Sequence, residues 1–398
     1  MSSRLLLISC LSAMFCVPAS WGSQVNSEVN IGVSPPVLPV LPVAHVYVAS
    51  TPANSGSNQI DGFAAGLDGR LTPIFNSPYS FDDTVLSVSG MKLFAVNRTT
   101  PAIDSYSIGL NGALTYLTST DYAQYNPADC GSAGWLFPDR TGADLYAMEF
   151  EGDCANNTYQ SFATEKATGG LKYLGNANGG AGSFFGIYLP ASFLGNNLYA
   201  YEATNNSCLY YEVWGFKRSS NGLLTSANST TTLPAPPDGY RIYIPARLAT
   251  DPTTHVAMAL WAANPPGCST LTPQIGAFTA DADGNLTTTN ISANMPSTSV
   301  TGVNDMKISP LGNLLAVGGT GGLQIFHFNG AQPVTEFTGL LTTDTINQMF
   351  WDNANHLYAI SQAANKLYVF NVTGAAYHEA PGSPYTINQP LSLAVRAG

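Results

Sequence analysis

The amino-acid sequence predicts an all-β fold, a seven-bladed β-propeller whose blades each contain four antiparallel strands. One strand-and-turn pattern occurs seven times at intervals of roughly 40 to 60 residues, the period expected of a four-stranded blade. The chain is rich in Gly (38) and Pro (26) and only 10% charged, which favours short strands joined by turns over helices. The first and last copies of the pattern also carry complementary defects, which predict a closed ring.

The second strand is the most regular part of each copy, as in "NLYAYE" and "HLYAIS". A third strand and a turn such as "NGALT" or "DGNLT" follow it, and Asn-Gly and Asp-Gly supply the positive φ angles that tight hairpins need. The seven second strands begin at His45, Lys92, Asp144, Asn197, His255, Leu314 and His356. Each copy is therefore expected to form one antiparallel blade.

Two Ser-Pro-Tyr phrases mark the ends of the repeat region. "NSPYS" (76–80) ends copy one and is followed by the innermost strand of copy two, whereas "GSPYT" (382–386) is followed by "PLSLAV" and no eighth copy. Copy one opens at its second strand without an innermost strand before it. We therefore expect Leu391 to Val395 to complete blade one and close the ring, which leaves no central edge unpaired.

The N-terminal region predicts export. Residues 1–22 contain one Arg, an apolar run and then small residues, as in a secretory signal peptide. Residues 23–42 include "SPPVLPVLPV" and read as a Pro-rich linker, so the propeller spans residues 43–398. A lipid anchor on Cys10 or Cys16 is the alternative to signal cleavage. No later stretch approaches the ~20 apolar residues of a membrane span, so a periplasmic or extracellular protein is predicted.

Charge and motifs exclude several function classes. The formal net charge is −11 and the cations are scattered singly, so nucleic acid is not an expected partner. The sequence contains no phosphate-binding loop, dinucleotide fingerprint or Gly-x-Ser-x-Gly elbow. We expect a monomer that uses no cofactor and takes a small lactone or carbohydrate as its ligand.

Propeller topology assigns each loop to a face. The loops before innermost strands and those between second and third strands share one face, which we call the upper face; the other turns lie on the lower face. The five histidines fall at the lower face or on outer strands, so none is expected in the upper cleft. The cysteines left after the signal peptide all fall on the upper face: Cys130, Cys154, Cys208 and Cys268.

An even number of cysteines in an exported chain favours two disulfides. We expect Cys130–Cys154 within blade three and Cys208–Cys268 between blades four and five, although the sequence alone allows three pairings. No Cys-x-x-Cys spacing occurs, so no metal site is predicted.

The phrases "LYAYE", "NSPY" and the Gly-x-Leu-Thr-Pro turn resemble those of the lactonase-type seven-bladed propellers, the 6-phosphogluconolactonase and carboxymuconate cyclase-like family. The resemblance covers the chain after Val43. It implies a hydrolase that opens a sugar lactone or related cyclic ester in the central cleft. Family members share a His in a run like Pro-Arg-His-Leu-Ala, whereas "PARLATDP" (245–252) has Arg247 at that position. The alternative is a non-catalytic propeller that binds a carbohydrate, peptide or protein on its upper face.

Carboxylates and arginines are the candidate site residues, because a carboxylate can activate water and an Arg can hold an anion or a developing oxyanion. Glu149 and Glu202 close second strands, and Arg247 lies by an innermost strand. We predict these three as catalytic. The residues predicted to bind substrate are Asp83, Arg98, Arg241 and Asp305.

Overall fold

A computed structural model describes residues 41–125, 133–149, 158–178, 191–206, 210–227, 229–265 and 272–398. Within them, seven antiparallel sheets form a seven-bladed β-propeller, as predicted. The predicted signal peptide, most of the linker and all four cysteines of the predicted disulfides lie outside the described residues, and Glu149 is described only through its backbone. The export and disulfide predictions therefore stay predictions.

Each blade is ordered from the central axis to the rim, with the innermost strand first. Blades one to four consist of β29 (Pro390–Ala397), β1 (Ala44–Ser50), β2 (Gln59–Ala65) and β3 (Leu71–Pro73); β4 (Asp83–Ser89), β5 (Lys92–Asn97), β6 (Ala102–Ile108) and β7 (Leu114–Asp121); β8 (Ala133–Pro138), β9 (Asp144–Glu149), β10 (Thr158–Thr164) and β11 (Leu171–Asn178); and β12 (Ser192–Phe193), β13 (Tyr199–Asn206), β14 (Tyr210–Arg218) and β15 (Leu224–Ser226).

The remaining blades follow the same order. Blades five to seven consist of β16 (Ile242–Thr250), β17 (His255–Ala263), β18 (Gln274–Ala280) and β19 (Leu286–Thr287); β20 (Gly302–Ile308), β21 (Leu314–Thr320), β22 (Gly322–His327) and β23 (Thr335–Thr342); and β24 (Gln348–Trp351), β25 (His356–Ser361), β26 (Lys366–Val372) and β27 (Tyr377–Glu379), with β28 (Tyr385–Thr386) also paired to β26.

Helix is nearly absent from the described part of the chain. Two single-turn 3₁₀ helices, Ala123–Tyr125 and Ser292–Asn294, lie in loops. Among the described residues, no helix is long and apolar enough to cross a membrane.

Strand β29 closes the ring as the sequence predicted. It pairs antiparallel with β1 from Ala44 opposite Ala397 to Ser50 opposite Pro390, and so extends beyond the predicted residues 391–395 at both ends. Hydrogen bonds also join β29 to the innermost strands of blades seven and two. The Leu393 N–H donates to Gln348 Oε1 of blade seven at 2.7 Å. Blades seven, one and two are thus connected through one strand, because Ser392 Oγ accepts the Leu86 N–H of blade two at 3.0 Å.

The two Ser-Pro-Tyr phrases occupy equivalent places. Ser77 Oγ accepts the Gly62 N–H at 2.7 Å in blade one, and Ser383 Oγ accepts the Val369 N–H at 2.9 Å in blade seven. The tyrosine that follows each serine reaches the next blade: Tyr79 Oη accepts the Leu114 N–H at 3.2 Å. Tyr385 Oη likewise accepts the Leu71 N–H at 2.8 Å, a contact that crosses the closure of the ring.

The repeated turns pack against the preceding blade. Gly284 has a φ of +82°, and a Cβ there would lie 2.6 Å from the Tyr199 ring of blade four. Tyr201 of the same strand donates its hydroxyl proton to the Gly284 carbonyl at 2.7 Å. Tyr47 makes the same bond to the Gly112 carbonyl at 2.7 Å. The "LY" strands and the Asn-Gly or Asp-Gly turns therefore recur together because they form one interface between blades.

Ring closure gives a testable prediction at Leu393, which is completely buried in β29. Leu393→Ala should lower the free energy of unfolding by about 2–5 kcal/mol, because it leaves a cavity between blades seven and one. Leu110→Ala, at a residue 84% exposed in a lower turn, should change it by less than about 0.5 kcal/mol. Equal denaturant midpoints for the two variants would show that β29 does not stabilise the ring.

Candidate functional site

A cavity of about 300 Å³ lies along the central axis among the innermost strands. It extends from Asn304 and Asn347, at the upper ends of blades six and seven, to Pro138 and Arg140 in the lower hairpin of blade three. Its wall combines charged groups with the aromatic side chains Trp135, Phe137, Phe193 and Phe350. An apolar wall with a few convergent polar groups is typical of a small-molecule site.

Bulges in three innermost strands place side chains at equivalent points of the cavity wall. The pairing register shifts before Trp135 in β8, before Arg247 in β16 and before Asp305 in β20. Each bulge inserts an unpaired residue and re-aims the side chain that follows it. All three of these side chains line the cavity.

Arg247 is a buried cation with one unused nitrogen. Its side chain donates from Nε to the Asn304 carbonyl at 3.1 Å and from Nη1 to the Ala246 carbonyl at 2.8 Å. Nη2 makes no hydrogen bond to any residue that the structure describes. Burial lowers the pKa of Arg247 to about 10, against the opposing effect of the Asp305 carboxylate, so the guanidinium stays charged at neutral pH. It can therefore bind an oxygen atom in the cavity.

Asp305 and Lys307 lie on the same face of β20, because alternate residues of a strand point the same way. Lys307 Nζ lies 3.2 Å from Asp305 Oδ1, and the Met349 N–H donates to Asp305 Oδ2 at 2.7 Å. Burial raises the pKa of Asp305, and both of these contacts oppose the increase. Lys307 was missed from the sequence, although the alternation in "NDMKIS" places it beside Asp305.

Asp305 also belongs to a belt of side chains that joins successive blades. Asp305, Gln348 and Ser392 occupy equivalent positions, and each accepts an N–H of the next innermost strand. The donors are Met349 and Leu393, each at 2.7 Å, and then Leu86 at 3.0 Å. One oxygen of Asp305 therefore has a structural role whatever the cavity binds.

Glu202 is the most completely buried acid of the site. Tyr159 of blade three donates a short hydrogen bond to Oε2, while Oε1 has no partner among the described residues. Burial raises the pKa of Glu202 to about 8; the Tyr159 hydrogen bond opposes this, and the Glu212 carboxylate adds to it. The carboxyl group is therefore mostly protonated at neutral pH, and Glu202 is among the residues that line the cavity.

The predicted position of Glu202 within its strand was wrong. Glu202 does not end β13, which continues to Asn206, because the nine-residue β14 pairs with it along its whole length. Arg247, predicted at the flank of the innermost strand of blade five, lies within β16.

Arg140 forms the lower end of the cavity. Its Nε donates to the Phe193 carbonyl at 2.8 Å and its Nη2 to the Asp251 carbonyl at 2.7 Å. One guanidinium thus joins blades three, four and five. The sequence did not single out Arg140, because its partners, backbone carbonyls and the Thr250 hydroxyl, lie in distant segments.

The other predicted site residues lie away from the cavity wall. Arg98 is paired with Asp82 at 2.8 Å on the exposed rim, and Arg241 is exposed before β16. Asp83 is buried inside blade two. Glu202, Arg247 and Asp305 thus share one cavity, whereas Asp83, Arg98 and Arg241 do not line it.

The histidines also lie outside the cavity wall. His255 and His356 contact Asp251 and Asp352 in the lower hairpins, at 2.9 and 2.6 Å. No cluster of three or more acidic, His or Cys residues suited to a metal ion occurs within the described residues.

These features define a class: a seven-bladed propeller with a charged cavity on its axis. No protein-family model and no curated protein matches the sequence. Among solved structures, the chain is similar to the periplasmic gluconolactonase of Pseudomonas aeruginosa (15% identity, TM-score 0.62, 89% of this chain and 99% of that one). It is also similar to a proposed 6-phosphogluconolactonase of Bacteroides uniformis (15% identity, TM-score 0.64, 89% and 99% covered). The resemblance to lactonase-type propellers is therefore confirmed at the level of the fold.

Asp83 gives a prediction about pH and stability. Burial raises its pKa to about 7, with the Tyr106 hydrogen bond opposing and the Asp104 and Asp82 carboxylates adding to the increase. The folded state then binds more protons than the unfolded state between pH 4 and 7, so this group lowers stability as the pH rises. Asp83→Asn should gain on the order of 2 kcal/mol relative to wild type between pH 5 and 8.

Urea unfolding at both pH values measures this difference. Asp68→Asn, at an exposed carboxyl group, is the control. A constant difference between Asp83→Asn and wild type across this range would contradict the prediction.

Proposed function

We propose that the protein is a hydrolase that opens a sugar lactone or a related cyclic ester in the central cavity. The proposal rests on one observation: Glu202, Arg247 and Asp305 line the same cavity. Burial affects the three groups differently. Glu202 is mostly protonated, Arg247 stays a charged hydrogen-bond donor, and the pKa of Asp305 is raised. The similarity to a gluconolactonase supports the same class of reaction.

Arg247 would bind the carbonyl oxygen of the lactone. Its Nη2 can donate a hydrogen bond into the cavity, while Nε and Nη1 are held by backbone carbonyls that fix the guanidinium plane. Attack on the carbonyl carbon moves negative charge onto this oxygen. A fixed, buried cation stabilises that charge more in the transition state than in the bound ester.

Asp305 would act on the attacking water. Lys307 and the Met349 N–H favour the charged form of this carboxyl group against the burial that raises its pKa, and in that form it would be a stronger base than an exposed aspartate. Removal of a proton from water lets the water oxygen form a bond to the carbonyl carbon. The cleft therefore needs no activating histidine at the position that Arg247 occupies.

Glu202 would complete the reaction as the acid. When the bond between the carbonyl carbon and the ring oxygen breaks, that oxygen takes a proton from the Glu202 carboxyl group. The product is an open hydroxy acid; Asp305 then releases to solvent the proton that it took from water, and Glu202 takes a proton back from solvent. A pKa of about 8 keeps Glu202 in the required form at neutral pH.

A non-catalytic role is the second candidate, and two observations favour it. Asp305 already accepts two hydrogen bonds, and Trp135 and Phe350 give the cavity an aromatic wall suited to a sugar ring. In that case the same cavity would bind an intact carbohydrate without opening it.

The proposal includes export. The signal-like residues 1–22 support it, and one structural neighbour is periplasmic. Formation of the two predicted disulfides would follow from an oxidising location.

Arg247→Ala tests the enzyme proposal directly. In a screen of sugar lactones, the variant should lose about 10²–10³-fold in kcat, because one oxyanion donor is removed. Arg241→Ala is the matched control, an exposed arginine next to the same strand and away from the cavity, and it should keep wild-type activity. If the wild type hydrolyses every lactone no faster than Arg247→Ala, the hydrolase proposal fails, and retained binding of a carbohydrate would then support the second candidate.

The pH profile tests the role of Glu202. Because the protonated form of Glu202 acts, kcat should fall as the pH rises above about 8, and protonation of the Asp305 base should lower kcat on the acid side of the profile. Glu202→Gln should lower kcat and remove this alkaline decrease, whereas Glu336→Gln, at an exposed acid on an outer strand, should reproduce the wild-type profile. An unchanged profile in Glu202→Gln would assign the titration to another group.

A further inference from the structure

A second cavity, of about 370 Å³, lies on the lower face between blades two and three. The hairpin of blade two forms one wall with Gly90, Met91 and Lys92. Blade three forms the other with its own hairpin at Gly142 and with the turn that contains Lys166. No residue lines both this groove and the central cavity, and neither lysine lines the latter.

Two lysines meet in this groove without a carboxylate. Lys92 Nζ donates to the Lys166 carbonyl at 2.8 Å, which holds its ammonium group against the turn of blade three. Within the described residues, neither lysine has a carboxylate oxygen within 4 Å. Lys307 and Lys366, by contrast, are paired with Asp305 and Asp344 at 3.2 and 2.8 Å. Burial and the nearby Lys166 ammonium lower the pKa of Lys92. Keeping both ammonium groups charged therefore has a free-energy cost that no described carboxylate offsets.

The hydroxyl groups of the groove already have acceptors. Ser89 donates to the Gly142 carbonyl and Thr164 to the Ala143 carbonyl, each at 2.9 Å. Thr141 donates to Asp139 at 2.6 Å. The donors left for a ligand are therefore the two ammonium groups, which favour a negatively charged acceptor.

We propose that this groove is a binding site for a small oxyanion, a carboxylate or a phosphate, held between Lys92 and Lys166. Met91 and Leu117 line the same groove and would contact an apolar substituent of the ligand. The site is independent of lactone hydrolysis, because it shares no lining residue with the central cavity.

Calorimetric titration of the whole protein at pH 7 and constant ionic strength tests the site with two probes, inorganic phosphate and hexanoate. Wild type should bind at least one of them saturably, and the tighter probe identifies the anion class. Lys92→Met and Lys166→Met should each weaken that binding at least about tenfold, since each removes one of two cations. Lys172→Met, at an exposed lysine of β11 outside the groove, should bind as wild type does.

Two outcomes would overturn the proposal. One is the absence of saturable binding of both probes to the wild type. The other is equal affinity in wild type and Lys166→Met, since that substitution lies in an exposed turn and leaves the core unchanged; binding at the central cavity would give this result.

Discussion

The pairing of β29 with β1 is the constraint on which the rest of the structure depends. It converts a row of seven blades into a ring, and it places the innermost strands around one axis. The belt of Asp305, Gln348 and Ser392 crosses that closure and fixes the strands to one another. The central cavity exists because this ring is complete, so stability and the candidate site share a single origin.

Burial then gives the cavity its chemistry. The same removal from water neutralises Glu202, which would otherwise be charged, and leaves Arg247 charged because its ordinary pKa is so high. Burial also raises the pKa of Asp305, and Lys307 and a backbone N–H oppose that increase. A low-dielectric cavity with a proton donor and a cation favours negative charge on a bound oxygen atom.

The sequence predicts the ring well because the contacts between blades recur with the repeat. The hydrogen bonds from Tyr201 to Gly284 and from Leu114 to Tyr79 each join neighbouring blades. Because such contacts recur from blade to blade, their residues appear in the sequence as repeated phrases. The site is different, since its residues come from single copies. Arg140 could not be recognised because its partners, backbone carbonyls and the Thr250 hydroxyl, lie in distant segments. Pro245 in "IPARL" is typical of a bulge, but it does not show that the bulge turns Arg247 into the cavity.

Closure by a C-terminal strand also constrains how the protein is made. His45 and Arg396 come together across 351 residues of chain, so β1 has an open inner edge until β29 has been synthesised. An unpaired strand of seven buried residues is a template for intermolecular pairing. Folding of blade one is therefore coupled to the synthesis of β29, and a nascent chain that lacks this strand exposes the inner edge of β1 to intermolecular pairing.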